Sequence, residues 1–499
     1  MAERLRLIVL VIPGLGGSVL ASPDGSWRVG PRLGDVAACL RDPERLSCGA
    51  NPRLAPVDLV RSAYVGPWRL AGGYGELLAA LDRRFGRPRV EVMKSADRLP
   101  GAGPADVLLF PYDYRLGIRD AAERLGECLD ARLGGTGREQ RQARWRVVVV
   151  AHSMGGLVAR HWIARGNGAR YCTTLITLGT PHRGTPQMLD QLINGVGMGP
   201  VRFDAATAVL RDWPSAYELL PQYPVVLPAA QRRNPNPVLA DLLRPGELNQ
   251  NLVGARFLGG VKAGRAEHEA IKVGWESLLR AGLAPDVIPV CGRGHPTLTH
   301  FEEREGSLRA VADRAPSWLS FGRWRGDGTV PAVSTLPLEL DEHRGAWRIW
   351  ANRHRMLPSA EDVIELLSTL NEDTARDIQR GRVTRVRLSL GLSLPDLAVE
   401  CEPIGVKVEL IGDHPQDAAG GRVMVRDTAS GRRCYEGPLA RLGEEPASAD
   451  GSPGGQRARY WVHRIPGLKA GLYSVKTGLS AIPGHRDVVT EDLLAVVAA

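Results

Sequence analysis

The stretch Val147-Val148-Val149-Val150-Ala151-His152-Ser153-Met154-Gly155-Gly156-Leu157-Val158-Ala159 decides how this chain is read. Four consecutive valines are apolar and β-branched, which suits a strand buried on both faces. From Met154 onward the pattern turns helical, so Ser153 falls on a strand-to-helix turn. A residue at such a turn is held in a strained backbone geometry. Only small neighbours fit two positions either side, and here they are Ala151 and Gly155. This is a nucleophile elbow, with Ala where G-x-S-x-G has its first Gly. The turn lifts the Ser153 hydroxyl clear of the sheet. It aims the next amide, that of Met154, at a developing oxyanion, where the helix N-terminus adds favourable potential.

Outward from the elbow, short apolar runs alternate with helical patterns. Leu5–Ile12, Ala105–Phe110, Arg146–Ala151 and Leu175–Leu178 read as strands. Tyr74–Phe85, Ile118–Leu133 and Gly155–Arg165 read as helices, the first with Leu77, Leu78 and Leu81 at core spacing. That alternation predicts an α/β fold, a mostly parallel sheet with helices on both faces. Between Pro186 and Pro285 the pattern is irregular, with short helical pieces and Asn234-Pro235-Asn236-Pro237, and reads as a cap insertion over one end of the sheet. Val287–Cys291 and Trp347–Ala351 resume the sheet, and Ser359–Leu370 is a helix. Past residue 385, Val386–Leu392, Gly405–Ile411, Arg422–Asp427, Arg457–His463 and Gly471–Thr477 predict a small β-sandwich. The expected division is therefore 1–384, with a lid region near 22–70 and the cap at 186–285, followed by an accessory domain at 385–499.

Composition narrows the function classes. The 499 residues are 43% hydrophobic and 24% charged, as in an ordinary globular protein with a sizeable core. The net charge of +9 comes from 64 basic residues of which only six are Lys. The arginines are spread along the whole chain and no nucleic-acid-binding motif accompanies them, so nucleic acid is not an expected partner. Transient contact with an anionic lipid surface fits the charge. Seven scattered cysteines read as reduced thiols in a cytoplasm, with a local bridge between Cys39 and Cys48 as the alternative. Arg4 and Arg6 precede an apolar stretch, Leu7 to Leu20, that resembles a signal peptide. Pro13-Gly14-Leu15-Gly16-Gly17 interrupts it and favours a strand and turn, so a cytoplasmic location is expected. No metal-ligand cluster or phosphate-cradling loop stands out, and no cofactor is implied.

A nucleophilic serine needs a base and a carboxylate to orient it. In the elbow-bearing fold these follow in the order acid, then histidine. Asp327 lies in the turn-rich loop Arg325-Gly326-Asp327-Gly328-Thr329-Val330-Pro331. Of the five histidines beyond it, His343 sits in the charged run Asp341-Glu342-His343-Arg344, and His414, His463 and His485 fall in the β-rich tail. His354 follows a strand and precedes a helix, where the base is delivered. The loop Ile12–Ser18 after the first strand is the candidate source of a second oxyanion donor.

With these residues in hand, the chain resembles the lecithin:cholesterol acyltransferase-like family of lipases and acyltransferases over most of residues 7–370. Pro13-Gly14-Leu15-Gly16-Gly17-Ser18-Val19-Leu20 is similar to its oxyanion loop. Phe110-Pro111-Tyr112-Asp113-Tyr114-Arg115 is similar to its Pro-Tyr-Asp-Trp-Arg, with Tyr114 in place of Trp. Ala151–Gly156, Gly179–Pro186, Pro214–Pro221, Gly326–Pro331 and His354 follow in family order. The resemblance implies an α/β-hydrolase core with cap and lid, acting on ester lipids by hydrolysis or acyl transfer. It implies the triad Ser153, Asp327 and His354, with oxyanion amides at Gly16 and Met154 and Leu15 as a substitute. Asp113 is expected to pair with Arg115 or a backbone amide, and His182 to line or support the site entrance. The tail lies outside the resemblance and reads as a module for a protein partner or a surface. The alternatives are a small-ester esterase or peptidase, or a binding or signalling protein that keeps the fold without catalysis.

Overall fold

A computed structural model of the chain describes residues 4–30, 42–61, 63–65, 68–71, 73–95, 105–134, 146–198, 201–232, 239–241, 255–305, 307–312, 326–340, 348–372, 389–395, 397–411, 420–445, 458–480 and 488–498. Seven strands form the main sheet: β1 (Ile8–Ile12), β2 (Val90–Val92), β3 (Val107–Leu109), β4 (Val147–His152), β5 (Cys172–Leu178), β6 (Asp286–Gly292) and β7 (Arg348–Trp350). Their order is β7-β6-β5-β4-β1-β3-β2, and every pairing is parallel.

The alternation of side chains along the strands makes the layers. Ile8, Leu10, Ile12, Val147 and Val149 face one core, which they share with helices α2 (Ile118–Leu133) and α3 (Met154–Arg165). Val9, Val11, Val148 and Val150 face the other, against α1 (Gly73–Phe85) and α5 (Glu361–Asn371). A strand with both faces covered must be apolar at every position, and this is why the valine run is uninterrupted.

The cap departs from expectation at one place. The short helical pieces expected up to Pro285 include a single helix of 27 residues, α4 (Ala255–Ala281). Its glycines at 259, 260, 264 and 274 hide it from the sequence pattern, since each weakens an isolated helix by ~1 kcal/mol. Packing explains Gly260, where a Cβ would sit 2.3 Å from the Tyr217 ring. Arg160 of α3 lies over Trp275 of α4, 4.3 Å from the ring centroid, and fixes the cap helix above the helix that starts at the elbow.

Residues 22–70 hold small β-pieces. Arg28–Val29 and Ala55–Leu59 both pair with Ser18–Ala21. Cys39 lies outside the described residues, as do Asn234–Pro237 and His343. Cys48 is a free thiol that burial pushes up to about 11. Among the described residues no helix is long and apolar enough to cross a membrane.

The C-terminal strands are β8 (Ser389–Ser393), β9 (Leu397–Val399), β10 (Ile404–Ile411), β11 (Gly420–Asp427), β12 (Arg433–Pro438), β13 (Ala440–Glu445), β14 (Ala458–Ile465), β15 (Gly471–Ser480) and β16 (Val488–Val497). They form two sheets, β8-β10-β14-β13 and β9-β16-β15-β11-β12. All pairs are antiparallel except β9 with β16. Leu392, Val408, Val423, Trp461, Val475 and Leu494 belong to their common core.

The cap also buries a carboxyl group. Glu218 accepts a hydrogen bond from the Ile118 amide at 2.7 Å, and desolvation pushes its carboxyl up to about 8. Between its ordinary value of 4.5 and about 8, the folded chain keeps a proton that the unfolded chain has released. Stability contributed by Glu218 therefore falls as pH rises through that window, by about 1.4 kcal/mol per pH unit. Glu218→Gln keeps an acceptor for the Ile118 amide and removes the titration. In urea unfolding, the wild-type chain is expected to lose about 2 kcal/mol between about pH 6.5 and pH 8 that the variant keeps. Parallel losses in both would contradict this account.

Candidate active site

Ser153 occupies the turn between β4 and α3 with φ 52° and ψ −127°. A non-glycine residue at positive φ is uncommon and costs roughly 1–3 kcal/mol, so neighbouring contacts must hold it. The Ser153 amide donates to Leu178 O at 2.9 Å, and the Gly156 amide donates to Ser153 O at 3.0 Å. A Cβ on Gly155 would lie 2.5 Å from Pro13 O, so the first loop and the elbow are pressed together by the absence of that side chain.

The hydroxyl at this turn meets an imidazole. His354 Nε2 lies 2.8 Å from Ser153 Oγ, and His354 Nδ1 lies 2.7 Å from Asp327 Oδ2. Asp327 is 1% exposed, and its other oxygen, Oδ1, accepts from the Thr329 amide at 3.0 Å and the Val330 amide at 2.7 Å. The His354 amide donates to Asp327 O at 2.9 Å, joining the two loops by backbone as well. Gly179, at the end of β5, lies beneath this pair with φ 58°. A Cβ there would sit 2.7 Å from Asp327 Oδ2 and 2.9 Å from His354 Nδ1.

A second polar chain runs behind the serine, and the sequence gives little sign of it. The Gly14 amide donates to Tyr74 Oη at 2.9 Å, and Tyr74 Oη is 2.9 Å from His152 Nδ1. His152 Nε2 is 2.9 Å from the backbone oxygen of His354. These partners are all served when His152 is neutral, with its proton on Nε2 donated to His354 O and the tyrosine donating to Nδ1. Burial, with the neighbouring His354 adding to it, pushes His152 down to about 3. The chain links the first loop to the loop of His354. His152 stands inside the elbow motif, but its link to Tyr74 spans 78 positions and leaves no sequence pattern.

The remaining expected residues are placed as follows. Met154 is the first residue of α3, where a helix leaves its amide without an internal partner. Gly16 lies exposed at φ 71°, in a turn closed by the Gly17 amide donating to Gly14 O at 2.9 Å. The part of this loop pressed on Ser153 is Gly14, where a Cβ would lie 2.7 Å from Ser153 Cβ. Asp113 binds Arg115 Nη2 at 2.6 Å and accepts from the Leu54 amide at 3.1 Å. His182 is buried with Nε2 3.2 Å from Thr177 Oγ1. It borders a cavity of about 580 Å³, together with Leu157, Arg160, Tyr223, Ile271 and Val333. That cavity lies beneath α4, beside the first turns of α3. His463 lies in the sandwich, 2.7 Å from Tyr435 Oη, while His414 and His485 lie outside the described residues. Among the described residues no group of His, Cys, Asp and Glu is arranged to hold a metal ion.

The parallel sheet order, with a serine at positive φ on the turn after β4, makes this chain an α/β-hydrolase by fold. Within it, residues 118–198 match a family described as a PGAP1-like alpha/beta domain. No curated protein sequence matches the chain. Among solved structures, it is similar to the lipase BlEst2 of Bacillus licheniformis in its propeptide form, at 11% identity over 99% of this chain and 94% of that one, with a TM-score of 0.32. It is also similar to a CARDB domain from Pyrococcus furiosus, at 13% identity over 22% of this chain and 94% of that one, with a TM-score of 0.15. A cohesin module of a Clostridium perfringens glycoside hydrolase is similar at 9% identity over 22% of this chain and 98% of that one, with a TM-score of 0.14.

Proposed function

We propose that the chain is a serine hydrolase of ester lipids, working through Ser153, His354 and Asp327 and an acyl-enzyme intermediate. The observation that carries this reading is the unbroken hydrogen-bonded line from Ser153 Oγ through the imidazole to Asp327 Oδ2. His354 Nε2 takes the hydroxyl proton as Ser153 Oγ attacks the ester carbonyl. Asp327 stabilises the imidazolium, and its two loop amides hold it for that task. The Met154 amide and the Leu15–Gly16 segment of the first loop supply the oxyanion donors. Collapse of the tetrahedral intermediate returns the proton to the leaving alcohol. Water then repeats the attack on the acyl-enzyme, releasing the acid.

The finer resemblance to lecithin:cholesterol acyltransferase-like enzymes belongs to this reading. It supports a lipid ester as substrate and an alcohol as an alternative acceptor to water. The cavity bordered by Leu157 and Val333, of about 580 Å³, falls within the ~300–1,000 Å³ usual for small-molecule sites and is our candidate for the acyl group. In the same reading, residues 1–384 form the hydrolase domain, 385–499 an accessory one, and the protein acts in the cytoplasm with transient membrane contact.

The test is active-site labelling. A fluorophosphonate probe is expected to attach to Ser153, as mapped by peptide mass spectrometry, and to block hydrolysis of long-chain esters in step with labelling. Continued turnover with Ser153 fully labelled, or no reaction at Ser153, would sink the proposal. Faster turnover of short-chain than of long-chain esters would replace the lipid by a small ester.

A further inference from the structure

The loops that carry His354 and Asp327 are fastened to the C-terminal sandwich. Arg353 and Arg355, on either side of His354, converge on one carboxylate, that of Asp492 in β16. Arg353 forms an ion pair with it through Nε, and Arg355 Nη2 donates to Asp492 Oδ1 at 3.0 Å. Arg353 Nη2 also donates to Leu394 O at 2.5 Å. On the acid side, His295 Nδ1 is 2.8 Å from Leu392 O of β8, and its Nε2 is 2.8 Å from Ala351 O. The His295 amide donates to Gly326 O, and the hydroxyl of Thr297 accepts from the amides of Gly326 and Gly328, which bracket Asp327.

The hydrolase core grips His354 itself, through its amide on Asp327 O and through His152 Nε2 at its carbonyl, and buries Leu357; the sandwich grips the residues on either side of it. His354 opens a 3-10 turn with no side-chain cap, and the strand that precedes it, β7, has three residues and lies at the sheet edge. Asp492 has only 5% of its side chain exposed. A carboxylate so buried needs cations beside it, so removing one partner of the pairing costs far more than breaking a surface ion pair. Its two cations are one residue either side of the imidazole. Any shift of β16 is therefore felt by the backbone of 353–355.

We infer that the C-terminal sandwich positions the active site, with Asp492 holding the His354 loop through Arg353 and Arg355, and Leu392 holding the acid loop through His295. This rests on the triad proposed above, and gives the tail a role other than recruiting a partner. Asp492 is a positioning residue, since it touches neither the triad side chains nor the substrate.

The test compares the full chain with Asp492→Asn and Asp492→Glu, measuring steady-state hydrolysis of p-nitrophenyl butyrate and hydrogen exchange by mass spectrometry. Asp492→Asn is expected to lower kcat about 10- to 100-fold with KM within about twofold. Exchange should rise in peptides covering 348–357 and stay unchanged in those covering 147–152. Asp492→Glu should recover most of the rate. A kcat within about twofold of wild type, or exchange rising equally through 147–152, would overturn the inference. If the wild-type chain shows no Ser153-dependent turnover, the triad reading fails instead. Exchange then decides the tether alone, and unchanged exchange at 348–357 overturns it.

Discussion

Asp327→Asn is expected to lower kcat for ester hydrolysis about 10⁴-fold while leaving the chain folded. The size follows from which way the new amide must face. The Thr329 and Val330 amides both donate to Oδ1, at 3.0 and 2.7 Å, so an oxygen has to stay on that side. The amide nitrogen is then turned toward His354 Nδ1, 2.7 Å from the other position. An NH₂ group donates and cannot accept. It therefore favours the imidazole tautomer with its proton on Nε2, the nitrogen that must accept the proton of Ser153. The loop remains satisfied, so the melting temperature should move little. Steady-state kinetics with p-nitrophenyl butyrate, beside a thermal melt by circular dichroism, check both halves. A variant with near wild-type kcat would remove Asp327 from the triad.

Gly179→Ala is expected to lower kcat about 100-fold or more, and to destabilise the chain as well. The residue has φ 58°, which costs an L-residue roughly 1–2 kcal/mol. The added Cβ would meet Asp327 Oδ2 at 2.7 Å and His354 Nδ1 at 2.9 Å. One or both must retreat by some tenths of an ångström, and a misplacement approaching 1 Å costs on the order of 100-fold in rate. Unlike Asp327→Asn, this change leaves the protonation of the imidazole alone, so slow fluorophosphonate labelling at Ser153 should persist. Wild-type kcat in a folded Gly179→Ala chain would mean that the histidine–aspartate pair is not held where the structure puts it.

How much of this was legible in the sequence depends on whether the cause was local. The valine run and the small residues around Ser153 are local requirements of a doubly covered strand and a tight turn, so they can be read in order along the chain. The α/β alternation followed from the same periodicities, as did the β-rich character of the tail. Asp327 and His354 could be singled out as the proposed acid and base because this fold places such groups after particular strands. The helix Ala255–Ala281 was not legible as one element, because Gly260 answers to the Tyr217 ring and Gly274 to Ala164 O, partners far earlier in the chain. Tyr74, His295 and Asp492 were missed for the same reason. Each matters through a contact whose other half lies far along the chain, 137 positions between Arg355 and Asp492. Burial of a lone carboxylate in a β-strand is invisible until its arginines are seen to reach it.

The position of β1 bears on how the molecule is made. It lies inside the main sheet, between β3 and β4, and can take neither neighbour until about 100 and 140 further residues are available. The Arg6 amide waits still longer, for Asn371 Oδ1, 365 positions away. Closing loops of that length must precede most of the burial that rewards them, so folding of this chain is intrinsically slow. During that interval the apolar segment Ile8–Ile12 has no sheet to join, and its exposure makes the partly folded chain prone to associate with other chains.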